Sequence, residues 1–203
     1  FKPGTKEVSD DSRIRASVPT IQYLLNNQCN VLICTHLGRP GGKFNHNFTL
    51  KPVASKLSEI LGMPVPLAPG CIGPDVSTMI CAMVRGSLLM LENVRFHRGE
   101  EDNDSHFAGE LAKHADFYVN DAFGASHRSH ASIEGITKHL PSSAGYLLQK
   151  EVMTLDKALD KPERPLIAIL GGAKISDKIL VMRNLLTKVD KLIIGGGMAN
   201  TFI

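Results

Sequence analysis

The chain has 203 residues, 43% of them hydrophobic, with 23 lysines and arginines against 20 acidic residues and a formal net charge of +3. That length allows a sizeable core in one or two domains, while so mild a charge, without a long run of one sign, gives no nucleic-acid footprint. An aromatic content of 5% without tryptophan leaves few platforms for stacking bases, and no apolar stretch nears the roughly 18 residues of a membrane span. Neither nucleic acid nor membrane is therefore an expected partner.

Cys29, Cys34, Cys71 and Cys81 contain no C-x-x-C pair, and Cys34 lies in an apolar run where a thiol packs as a small hydrophobe. A reduced compartment, the cytoplasm, is the expectation. The sequence opens at Phe1 rather than methionine, which leaves room for an organelle address ahead of it.

Short apolar runs alternate with amphipathic segments along the chain. A helix is expected from near Pro19, because proline suits a first turn. Residues 31–34 are the first candidate strand, apolar on both faces as parallel strands are, and Thr35-His36-Leu37-Gly38-Arg39-Pro40 follows it. Leu50, Val53, Ala54, Leu57 and Leu61 share a helical face behind a Thr49 cap, with Pro52 in the first turn. Residues 65–67 and 88–91 are the next strands, the latter leading into Glu92-Asn93-Val94-Arg95-Phe96-His97. A helix begins near Asp104 or Ser105. Residues 117–119 form a strand before Asn120-Asp121-Ala122-Phe123 and His127-Arg128-Ser129-His130.

From 142 to 161 the pattern is helical, with Leu148, Val152, Leu155 and Leu159 in a stripe and no strand nearby. Pro162 and Pro165 stop that helix, and residues 166–170 and 192–194 are strands beyond it. The alternation argues for an α/β fold: a parallel-sheet, Rossmann-like three-layer domain, then a second α/β domain that has only begun. A helix, a proline-bounded joint and a fresh strand mark the connection. The expected division is a first domain over 1–147, an interdomain helix and joint over 148–161, and the start of the second domain over 162–203.

In an open parallel sheet the loops after the strands emerge at one edge, where such folds bind ligands, so their basic side chains can meet there. A small metabolite carrying a phosphate and a carboxylate needs several cations, since one charge pair at about 4 Å is worth about 4 kcal/mol at an effective dielectric near 20. Arginine suits the task through its planar two-pronged grip. Arg13, Arg39, Arg95 and Arg128 are the candidate clamps, His36 is a further donor, and Gly38 lets backbone approach the same anion. Taken singly, each arginine has the alternative of a solvated loop residue. His127 and His130 lack a neighbouring cysteine or a helix-borne H-E-x-x-H, so no metal site is expected.

A second constellation is Gly171-Gly172-Ala173-Lys174-Ile175-Ser176-Asp177-Lys178, directly after a strand. With a helix starting near Lys174, that lysine and Lys178 lie one turn apart beside a helix N-terminus, which favours anions. The Walker spacing is absent, and a strand-to-helix turn with two solvated lysines is the alternative. Gly195, Gly196 and Gly197 permit close approach to a flat base, or simply helix packing.

THLGRP, LENVRFHRGE, NDAFGASHRSHAS, LGGAKISDK and IIGGGM, in this order and spacing over essentially the whole chain, resemble the phosphoglycerate kinase family. The resemblance implies a monomeric glycolytic enzyme that exchanges a phosphoryl group between 1,3-bisphosphoglycerate with ADP and 3-phosphoglycerate with ATP. Magnesium accompanies the nucleotide, and two α/β domains close across a cleft. It implies a phosphoglycerate patch of Arg13, His36, Leu37, Gly38, Arg39, Arg95 and Arg128, with Arg13 and Lys174 catalytic. Lys178 then meets nucleotide phosphate, and Gly195, Gly196 and Gly197 line an adenine pocket. The family's opening strand with its D-x-N motif, its magnesium-linked aspartate, its ribose-gripping acid and its later glycine-rich loop have no counterpart here. The chain is thus expected to be a fragment, with a phosphoglycerate-binding module lacking catalysis as the alternative function.

Overall fold

A computed structural model of the protein describes residues 8–160, 162–172 and 178–201. The chain forms two compact units, Phe1–Gln149 and Lys150–Ile203.

The first unit opens with α1 (Ser12–Asn26) and β1 (Val31–Ile33), then α2 (Lys51–Leu61) and α3 (Pro74–Cys81). It continues through β2 (Leu88–Met90), α4 (Arg98–Glu101), α5 (Ser105–Ala112), β3 (Tyr118–Asn120) and β4 (Ser142–Ala144) to the first turn of α6 (Tyr146–Asp160). β1 and β2 run parallel, with Leu32 opposite Leu89, and Leu67 adds a parallel bridge to Met90. β3 and β4 form a second parallel pair.

Strand periodicity of two explains how β2 divides the core. Leu89, followed by Leu91, enters a cluster with Val76 of α3 and Phe107, Ala108 and Leu111 of α5. Leu88 and Met90 enter another, with Ile21 of α1 and Leu50, Ala54 and Leu57 at α2. Both faces of the strand are buried, helices cover each side, and the result is the three-layer α/β arrangement. Leu32 and Tyr118 pack on the first cluster, so both strand pairs share it.

Local chemistry sets the helix ends. Asp104 accepts a bond from Phe107 N at 2.7 Å and caps α5. α2 stops at Gly62, whose φ of +66° is the left-handed turn that glycine permits. Its start corrects the sequence expectation: Leu50, not Thr49, is the N-cap. Glu92 instead binds both Thr49 Oγ1 (2.6 Å) and Leu50 N (2.8 Å) while also accepting from Asn93 N (2.8 Å). Pro19 likewise lies inside α1 rather than at its start. Residues 65–67 contribute a bridge rather than a strand, with Ala68 N bonded to Met90 O at 2.8 Å. Ser142–Ala144, expected to fall in a helical stretch without a strand, is instead a strand.

In the second unit β5 (Ile167–Gly171) runs parallel to β6 (Lys191–Gly195), and α7 (Ile179–Leu186) lies between them in sequence. Ile169 of β5 and Leu180 of α7 are 74% and 75% exposed.

A candidate anion-binding site

The loop after β1 is shaped by Gly38, at φ +65°. Asn93, wholly buried, holds it from behind: its Nδ2 donates to Leu37 O at 2.8 Å and to Phe48 O at 2.9 Å, and its Oδ1 accepts from Arg95 N at 3.1 Å. Arg95 follows on a short helical turn and is only 5% exposed. Its Nη1 donates to Gly38 O at 2.9 Å, and its Nε lies 3.4 Å from Glu101 Oε1. That Nε lacks a well-formed hydrogen bond among the described residues. Burial presses the Arg95 pKa below its ordinary value, with Glu101 opposing the shift and Arg128 adding to it.

These side chains converge. Arg13 from the first turn of α1, His36, Gly38 and Arg39 from the loop after β1, Arg95, and Gly124, Ala125 and Arg128 from the loop after β3 line one cavity of about 300 Å³. Four guanidinium groups and no carboxylate line it. Burial, then the nearby Arg95, His130 and Arg128, depress the His36 pKa to about 4, so near neutral pH the ring serves as a neutral hydrogen-bonding group. A cavity of this size suits a small metabolite, and its charge demands an anion. Leu37 stands apart from the lining: its carbonyl is taken by Asn93 and its side chain packs on the second core cluster.

Gly124 and Ala125 escaped the sequence reading. Their only signal is small size beside a basic motif, which makes room rather than contact. Asn93 and Glu92 escaped it too, although two polar residues at the end of the run Leu88-Leu89-Met90-Leu91 mark a place where buried polarity must have partners.

In the second unit, Lys178 is the N-cap of α7, and its Nζ donates to Gly171 O at 2.6 Å. Gly171 pairs with Gly195 across the sheet, Gly196 has φ +64°, and Gly197 lies in the helical turn Gly196–Thr201. Met198 N donates to Gly172 O at 3.0 Å. Lys174 lies outside the described residues. Among the described residues no trio of His, Cys, Asp and Glu could hold a metal ion. His130 instead turns inward, its Nδ1 3.4 Å from Glu100 Oε1.

The domain is an α/β domain in which Arg39, Arg95 and Arg128 from the loops that follow strands, with Arg13 of α1, gather around one small cavity, the edge where such folds carry their ligand sites. The family model for phosphoglycerate kinase matches residues 2–203, and the chain belongs to that family. It is 58% identical over 196 residues to a phosphoglycerate kinase of Moorella thermoacetica, an alignment covering 97% of this chain and 50% of that protein. It is 55% identical over 199 residues to a chloroplastic phosphoglycerate kinase of Chlamydomonas reinhardtii, covering 98% and 43%. Among solved structures, phosphoglycerate kinase from Coxiella burnetii superposes with a TM-score of 0.84 at 42% identity, covering all of this chain and 50% of that one. The enzyme from Pyrococcus horikoshii OT3 gives 0.85 at 33% identity, covering all of this chain and 51% of that one. The chain spans about half the length of the curated relatives it matches.

Proposed function

We propose that the protein carrying this chain is a phosphoglycerate kinase: a carboxylate oxygen of 3-phosphoglycerate attacks the γ-phosphorus of ATP, ADP leaves, and 1,3-bisphosphoglycerate forms, reversibly. The observation that carries the reading is the cavity with four arginines and no carboxylate in its lining, matched in charge to a phosphate-bearing acid. Arg13, Arg39, Arg95 and Arg128 clamp the acid, Gly38 gives it room, and His36 supplies a neutral hydrogen bond. Both exchanging oxygens are already ionised, so positioning and charge stabilisation carry the catalysis rather than proton transfer. By family resemblance Arg13 and Lys174 are the catalytic residues, Lys174 neutralising charge on the moving phosphoryl group, while Lys178 meets nucleotide phosphate and Gly195, Gly196 and Gly197 border the adenine.

Magnesium belongs to the nucleotide phosphates in this reading. The described residues offer it no ligand set. We place 1–147 in the acid-binding domain, 148–161 in the interdomain helix and joint, and 162–203 in the nucleotide domain. The protein is expected to act as a monomer in the cytoplasm, or in a plastid when addressed there.

Calorimetry and steady-state kinetics on the full-length protein test the proposal. Arg39→Ala should chiefly weaken 3-phosphoglycerate binding, and Lys174→Ala should chiefly lower turnover. Equal effects of both changes on both quantities would refute the assignment, and acid binding without phosphoryl transfer would leave a binding module in its place.

A further inference from the structure

Glu100 is 2% exposed and lines no part of the cavity. Its side-chain hydrogen bonds both come from the segment that follows Arg128. Oε2 accepts from Ser132 N at 2.9 Å, Oε1 accepts from Ser132 Oγ at 2.7 Å, and His130 Nδ1 stands 3.4 Å from Oε1. The Glu100 carbonyl takes Ala131 N at 2.9 Å. Beside it, Asn103 Nδ2 donates to Ser129 Oγ at 2.9 Å. Every residue from Ser129 to Ser132 is thus held from the turn around Glu100, and Arg128 enters the cavity directly before them.

A buried carboxyl group costs free energy unless several donors satisfy it, and a core position could be filled by an apolar side chain without that cost. Here the donors come from one short stretch, next to a residue whose placement decides whether a guanidinium faces the ligand. We propose that Glu100 is a positioning residue for phosphoglycerate binding, fixing the backbone beyond Arg128 so that this guanidinium meets the acid together with Arg95. The proposal rests on the function proposed above.

The test is a cycle of Glu100→Gln and Arg128→Ala in the full-length protein, with KM measured separately for the two substrates, the acid and ATP. Glutamine keeps the size of the side chain but has a single oxygen for the two Ser132 donors and turns an NH2 group toward one of them. Glu100→Gln should raise KM for the acid about tenfold, the loss expected of a hydrogen bond to a charged group, and leave KM for ATP within about twofold. In the Arg128→Ala background it should add little, because the two changes remove one interaction. An unchanged acid KM, equal rises for both substrates, or a full additional loss in the Arg128→Ala background would each overturn the proposal.

Should Glu100→Gln fail to fold, Ser132→Ala removes one of the same bonds and should raise the acid KM about threefold. No change there would also overturn it. A wild-type protein that fails to bind 3-phosphoglycerate would refute the function itself, a separate outcome from a wild type that binds and variants that match it.

Discussion

Replacing Gly38 with alanine joins fold and site in one measurement. The residue sits at φ +65°, and a Cβ built there stands 2.5 Å from Phe48 Cδ1 and closer still to Cε1. The left-handed backbone alone costs an alanine about 1–2 kcal/mol. Forcing Phe48 aside adds about 1–3 kcal/mol of overpacking, because the Phe48 carbonyl is tied to Asn93 and the ring cannot retreat by moving its backbone. Gly41 offers an internal control: its φ is +70° and a Cβ there meets nothing within 4 Å, so Gly41→Ala should show only the backbone cost. Urea unfolding of the full-length protein, followed by circular dichroism, should therefore find Gly38→Ala less stable than Gly41→Ala by about 1–3 kcal/mol. Calorimetry should show weaker 3-phosphoglycerate binding for Gly38→Ala. Equal stability of the two variants with unchanged affinity would refute the picture of a loop wedged against Phe48.

His36 binds a proton in the unfolded chain near its ordinary value of 6.5 but in the fold only near 4, so folding stability falls as pH drops through that window. His36→Gln should lose less stability between those pH values than the wild type does, as followed by thermal melts. Asp121 Oδ1 accepts from Leu147 N at 2.8 Å and Leu148 N at 3.1 Å, capping α6, and Asp121→Ala should cost about 1–2 kcal/mol in urea titration. Cys71 is fully buried, burial pushes its thiol pKa up, and its Sγ donates to Glu92 O at 2.8 Å. Mass spectrometry after brief iodoacetamide treatment should find Cys71 unmodified while the exposed Cys29 and Cys81 react.

Arg39, Arg95 and Arg128 were legible because each follows a run whose apolarity marks a buried strand, and strand ends in a parallel sheet share an edge. The Asp104 cap was legible because capping is local. What escaped depends on partners far along the chain. Ser142–Ala144 is three exposed small residues, without period or apolarity; it becomes a strand only because β3 lies beside it, with Tyr118 N bonded to Pro141 O at 2.9 Å. Pro19 sits mid-helix against the general rule, and nothing in its neighbours announces that. The roles of Asn93 and Glu100 lie in what they hold rather than in what they touch at the cavity, and spacing alone carries no sign of that.

Glu92 reaches across 42 positions to the backbone that opens α2. An excised peptide spanning that 11-residue helix would lose this anchor and, being so short, should remain largely coil in water. The segment borrows its order from a distant neighbour, so its helicity should emerge in step with the strand that delivers the carboxylate rather than ahead of it.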